Sequence, residues 1–132
     1  EESAKKGACG NPMVERRKQA SYLGLMSCVD ADLGWLFAAL KAKGYWDTTM
    51  IIFSSDHGEQ MGDHWLQGKT GFFDQSYHVP LIIRDPRPVG DETRGFPCNA
   101  FTESVDIFPT ILDFLGVSPP SQCDGFSLLR LI

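Results

Sequence analysis

Thr49–Ser55 reads TMIIFSS, a short, apolar, β-branched run bounded by polar residues. That pattern fits a strand buried on both faces of a parallel or mixed sheet. A second run, HVPLIIR at His78–Arg84, repeats it, with Pro80 near the start where a missing N–H is tolerated. A third, weaker strand is expected over Asn99–Thr102.

Helical patterns flank these strands. Asn11-Pro12 supplies a cap and a first-turn proline. Tyr22, Leu25, Met26, Val29, Leu33, Leu36, Phe37 and Leu40 then recur every three or four residues, one apolar face of a long helix over 12–43. Lys41 and Lys43 suit the last turn, and Gly44 the stop. Ile107, Phe108, Ile111, Leu112 and Leu115 mark a second helix, with Pro109 in its first turn and Gly116 at its end. Helix, strand, loop, strand, helix is an α/β order. The stretches 86–97 and 116–125 read as surface connections.

The totals bound the function. The 132 residues suit a single α/β piece, long enough for one core. A net charge of -5 excludes a broad nucleic-acid surface, so an anionic ligand needs locally placed cations or a metal. No uninterrupted apolar run approaches the ~20 residues of a membrane span, and no membrane partner is expected. Cys9, Cys28, Cys98 and Cys123 form no CxxC pair, which excludes zinc-ribbon and thioredoxin-type sites. Parity alone allows two disulfides, but free thiols in a cytoplasmic setting are expected, with a periplasmic one as the alternative. The first residues, EESAKKGACGNP, and the apolar ending SLLRLI suggest a piece of something larger.

Chemistry concentrates in SSDHGEQMGDHWLQGKTGFF, Ser54–Phe73. Asp56 and His57 directly follow the first strand, where ligand sites of open α/β sheets collect. A carboxylate beside an imidazole can turn toward one divalent cation, with nitrogen favouring manganese, iron or zinc over calcium. Gly58 permits a sharp turn. Lys69, between the strands, is a compact charge for an oxyanion. The blander alternative is a plain turn, with Asp56 capping and His57 satisfied by backbone. Two ligands are also fewer than the four to six usual for a metal site, so others would have to be borrowed. Glu59 reads either as an orienting partner of His57 or as an exposed helix-start residue. His64 and His78 can be read as a general acid or as substrate contacts, but His64 is expected to pack in its loop and His78 to lead the second strand.

SDHGEQMGDHWLQGKTGFFDQSYHVPLIIRDP, Ser55–Pro86, resembles the second metal-binding segment of the alkaline phosphatase superfamily, in its sulfatase and phosphonate monoester hydrolase branch. The stretch 27–59, FTESVDIFPTILDFLG and CDGFSLL resemble neighbouring segments in the same order, so the likeness covers most of 22–131. DHGEQ, the downstream lysine and the CDG-SLL ending resemble the phosphonate monoester hydrolases more than the arylsulfatases. The resemblance implies a three-layer sandwich with a mixed, mostly parallel sheet flanked by helices. It makes Asp56 and His57 ligands of a divalent metal (manganese, calcium or zinc) and Lys69 a catalytic contact to the phosphoryl or sulfuryl oxygens of a small anionic ester. In that family a hydrated formylglycine, made from the cysteine of a C-x-P-x-R pattern, attacks phosphorus or sulfur. No cysteine here has arginine four residues later, and the earlier acidic ligands are absent. The implied unit is an incomplete C-terminal portion of a catalytic domain, inactive alone and needing the N-terminal part; a homo-oligomer is left open. A non-catalytic anion- or partner-binding domain that keeps the fold is the alternative from another class.

Overall fold

The computed structural model describes residues 11–132; the sequence expectations for 1–10, Cys9 among them, lie outside these. Elements follow the α/β order expected: α1 (Pro12–Ala42), β1 (Ile51–Ser54), α2 (Asp74–Tyr77), β2 (Leu81–Arg84) and α3 (Ile107–Phe114), with short 3-10 turns between them. β1 and β2 pair as a two-stranded sheet. The stretch 99–102 forms no strand and stays irregular. Phe101 there is fully exposed, and among the described residues no strand edge pairs with this run. His78 does not lead β2 but closes α2, its N–H donating to the Asp74 carbonyl at 2.8 Å.

The chain falls into two compact units, Glu1–Ile82 and Ile83–Ile132. In the first, Asn11 Oδ1 accepts from Met13 N–H at 2.9 Å, capping α1 as its sequence requires. At the far end Gly44 takes a φ of 73° and Tyr45 N–H donates to the Leu40 carbonyl, the left-handed stop that glycine permits. Lys41 lies 4.5 Å over the Trp46 ring, which also meets Phe37 edge-on at 5.5 Å.

The apolar face of α1 is largely uncovered: Tyr22, Leu25, Met26, Val29 and Leu36 are exposed. Trp35 and Leu23, off the expected stripe, are exposed as well. By length and composition alone α1 is apolar enough to cross a membrane, its best window having mean hydropathy 1.5. Asp30 and Asp32 interrupt the apolar run without lowering its average enough to exclude this, so the expectation of no span-length apolar segment is corrected. Apolar core helices of water-soluble proteins meet the same test. The expected single core is not built among the described residues, where the buried apolar side chains are Leu128 and Pro109. Two strands and three helices of this size leave most apolar faces without a covering layer.

In the second unit Asp106 organises the chain. Its carboxylate accepts from Glu103 N–H and Phe126 N–H, both at 2.8 Å. Thr110, fully buried, donates to the Asp106 carbonyl at 2.6 Å and accepts from Leu128 N–H at 2.9 Å. Residues 126–128 are thereby tied back onto the start of α3. Asp85, buried, accepts from Arg87 N–H, Nε and Nη2 at 2.6–3.0 Å. These hydrogen bonds, foremost the guanidinium's, hold its carboxyl below the ordinary carboxylate range against the opposing effect of burial.

A depressed folded-state pKa stabilises the fold above the unfolded value, and that contribution is lost as pH falls through the folded value. We therefore expect urea midpoints to drop on acidification below the ordinary carboxylate range. Asp85→Asn should remove part of that drop and lower stability near neutrality by about 2 kcal/mol. An unchanged acid profile would show that Asp85 does not carry it.

Candidate metal and anion site

β1 ends at Ser54, and the chain turns at once through Asp56, His57 and Gly58. Ser55 Oγ donates to the His57 carbonyl at 2.8 Å, and Gly58 N–H donates to the Ser76 carbonyl at 2.8 Å. This second bond presses Gly58 against the end of α2. A Cβ on Gly58 would stand 1.9 Å from the Gln75 carbonyl oxygen, so close approach, not an unusual φ, requires glycine here.

The Asp56 and His57 side chains face each other. His57 Nε2 lies 3.5 Å from Asp56 Oδ2, while Asp56 Oδ1 accepts from His57 N–H at 3.0 Å. His57 Nδ1 lies 2.8 Å from the Gly58 carbonyl oxygen. A carbonyl only accepts, so Nδ1 carries a proton here, and a neutral ring in this tautomer has its lone pair at Nε2. Two lone-pair atoms, one oxygen and one nitrogen, thus converge, with the Asp56 side chain 86% exposed and that of His57 37%. A divalent cation fits such a donor pair, and tying the second ring nitrogen to a carbonyl is the usual way to fix a ligating tautomer. Among the described residues no group of three or more His, Cys, Asp or Glu gathers round one point.

Lys69 is exposed and has no hydrogen-bond or ion-pair partner among the described residues. The loop that carries it is tightly held. Gln60, with no exposed surface, donates from Nε2 to the Thr70 carbonyl and to Ser76 Oγ, both at 2.9 Å. Its backbone N–H donates to the Gly68 carbonyl at 2.8 Å. Glu59 corrects both expectations for it: it starts no helix and does not bond His57, but accepts from Gly68 N–H at 2.6 Å. From α1, Glu15 accepts from Gln67 Nε2, and Gln19 donates to the Met61 carbonyl at 3.1 Å. The sequence hides the roles of Glu15 and Gln19 because their partners lie 52 and 42 positions away.

The same loop holds three non-glycine residues at positive φ: Met61 (52°), His64 (54°) and Trp65 (57°). Each costs about 1–3 kcal/mol and persists only where surroundings over-determine it. His64 stacks on Phe73 with centroids 4.0 Å apart, packing in its loop as expected. Cys28, Cys98 and Cys123 are free thiols.

The sulfatase family profile matches residues 1–117, and the chain belongs to the sulfatase family of the alkaline phosphatase superfamily. It is 48% identical over 120 residues to the multifunctional alkaline phosphatase superfamily protein PehA of Trinickia caryophylli, covering 89% of this chain and 22% of that protein. With an arylsulfatase of Clostridium perfringens it shares 35% over 122 residues, 92% of this chain and 25% of that one. The crystal structure of the phosphonate monoester hydrolase of Agrobacterium radiobacter superposes with a TM-score of 0.79 at 50% identity, over 86% of this chain and 22% of that one. The chain therefore spans about a quarter or less of the length of these relatives.

Proposed function

We propose that this chain is part of a metal-dependent hydrolase of phosphonate, phosphate or sulfate esters, nearest to the phosphonate monoester hydrolases. The observation that carries it is the facing of Asp56 Oδ2 and His57 Nε2 with the other ring nitrogen tied to Gly58. These two atoms would hold one divalent cation of the manganese, calcium or zinc kind, which when bound offsets charge on a non-bridging ester oxygen. Lys69 offsets a second such oxygen, its ammonium being exposed and unpaired among the described residues. The remaining ligands and the C-x-P-x-R nucleophile have no counterpart in this sequence. They come from further polypeptide, and the isolated chain is inactive. The substrate is a small anionic ester.

An arylsulfatase is the second reading, favoured by the likeness to the Clostridium perfringens enzyme; steady-state rates on aryl sulfates against aryl phosphonates separate the two. In the full-length enzyme Lys69→Ala should lower kcat/KM for these esters by about 100-fold while bound metal stays at the wild-type ratio. Unchanged kinetics would remove Lys69 from the site. A non-catalytic domain would show no turnover of either ester class.

A further inference from the structure

The backbone on either side of Lys69 is fastened to the two residues that follow the Asp56-His57-Gly58 turn. Glu59 accepts from Gly68 N–H at 2.6 Å, and Gln60 donates from its backbone to the Gly68 carbonyl at 2.8 Å. On the far side, Gln60 Nε2 reaches the Thr70 carbonyl at 2.9 Å. Three hydrogen bonds from two consecutive residues thus bracket the lysine. Meanwhile Gln60 Oε1 is buried without a partner among the described residues, an arrangement that costs about 1–3 kcal/mol. The amide accepts that cost because both protons of Nε2 are committed, one to Thr70 and one to Ser76 Oγ. Glu59 is half-buried and makes its hydrogen bond to the loop, not to His57.

We propose that Glu59 is a positioning residue that sets the place of the Lys69 ammonium relative to the Asp56–His57 pair. This rests on the function proposed above. Each link is short: His57 to Glu59 is two residues of chain, and Glu59 to Lys69 is one hydrogen bond and one residue. A displacement of the lysine's base by even 1 Å is the kind of error that costs catalysis up to about 100-fold.

A double-mutant cycle in the full-length enzyme tests it. Glu59→Ala should lower kcat/KM for an aryl phosphonate by about tenfold or more, with metal content unchanged. Glu59→Gln, whose amide oxygen still accepts from Gly68 N–H, should recover most of the loss. In a Lys69→Ala background the Glu59→Ala effect should shrink to about twofold or less. Should Glu59→Ala fail to fold, Glu59→Asp, which withdraws the acceptor while keeping its charge, takes its place in the cycle. An equal factor in both backgrounds would overturn the proposal, as would a Glu59→Gln variant as impaired as Glu59→Ala. A Lys69→Ala enzyme with normal kinetics is a different result, and overturns the proposed function of the lysine itself.

Discussion

His57→Ala in the full-length enzyme is expected to lose bound metal and ester hydrolysis together. The substitution removes the Nε2 lone pair that faces Asp56 Oδ2 at 3.5 Å, and leaves the carboxylate alone at an 86% exposed position where water competes freely. One ligand lost from a site of four to six is enough to weaken binding by orders of magnitude, and activity that depends on the cation falls with it. The fold should survive, since the ring makes one hydrogen bond and is partly solvated. Metal analysis by plasma mass spectrometry alongside kinetics reads both quantities. A variant that keeps a full complement of metal would contradict the assignment of His57 as a ligand.

Gly58→Ala should be nearly as damaging by a purely steric route. The new methyl would sit 1.9 Å from the Gln75 carbonyl oxygen and 2.8 Å from its carbon, backbone atoms that cannot swing aside. Relief requires the turn to move off α2, which breaks the Gly58–Ser76 hydrogen bond and shifts the carbonyl that fixes the His57 tautomer. Overpacking of this kind costs about 1–3 kcal/mol, and the site should lose metal along with stability. For the isolated chain, Gly24→Ala in α1 is the stability control, because nothing among the described residues lies within 4 Å of its added methyl. In a helix interior that change should stabilise by up to about 1 kcal/mol. Equal thermal stability and metal binding in Gly58→Ala and wild type would show that the turn is not held against α2.

The features legible in the sequence were those whose cause is local. The Asn11-Pro12 start and Gly44 stop of α1 are caps written in adjacent residues. The Asp56–His57 pair could be anticipated because its members are consecutive and follow a strand. The polar network under Lys69 was not legible, because Gln60 and Glu15 look like surface residues and are buried only through partners 10 to 52 positions away. Asp106 was hidden for the same reason, its second partner lying 20 residues downstream. The extra strand at 99–102 failed in the opposite direction: local composition suggested it, but a strand needs a neighbouring edge, and none is present among the described residues.

The exposed apolar faces of α1 and α3 fit a chain that spans about a quarter or less of its relatives. Phe108, Ile111 and Leu115 face outward on α3, while Pro109 and Thr110 are buried. In the full-length enzyme proposed above, the remaining layers of the fold would cover these faces.

Anomalous diffraction from manganese-soaked crystals of the full-length enzyme measures the central claim most directly. A single peak lying about 2.0–2.2 Å from both Asp56 Oδ2 and His57 Nε2 is predicted, as for a bound first-row cation. A manganese peak bonded to other residues and remote from these two atoms would contradict it.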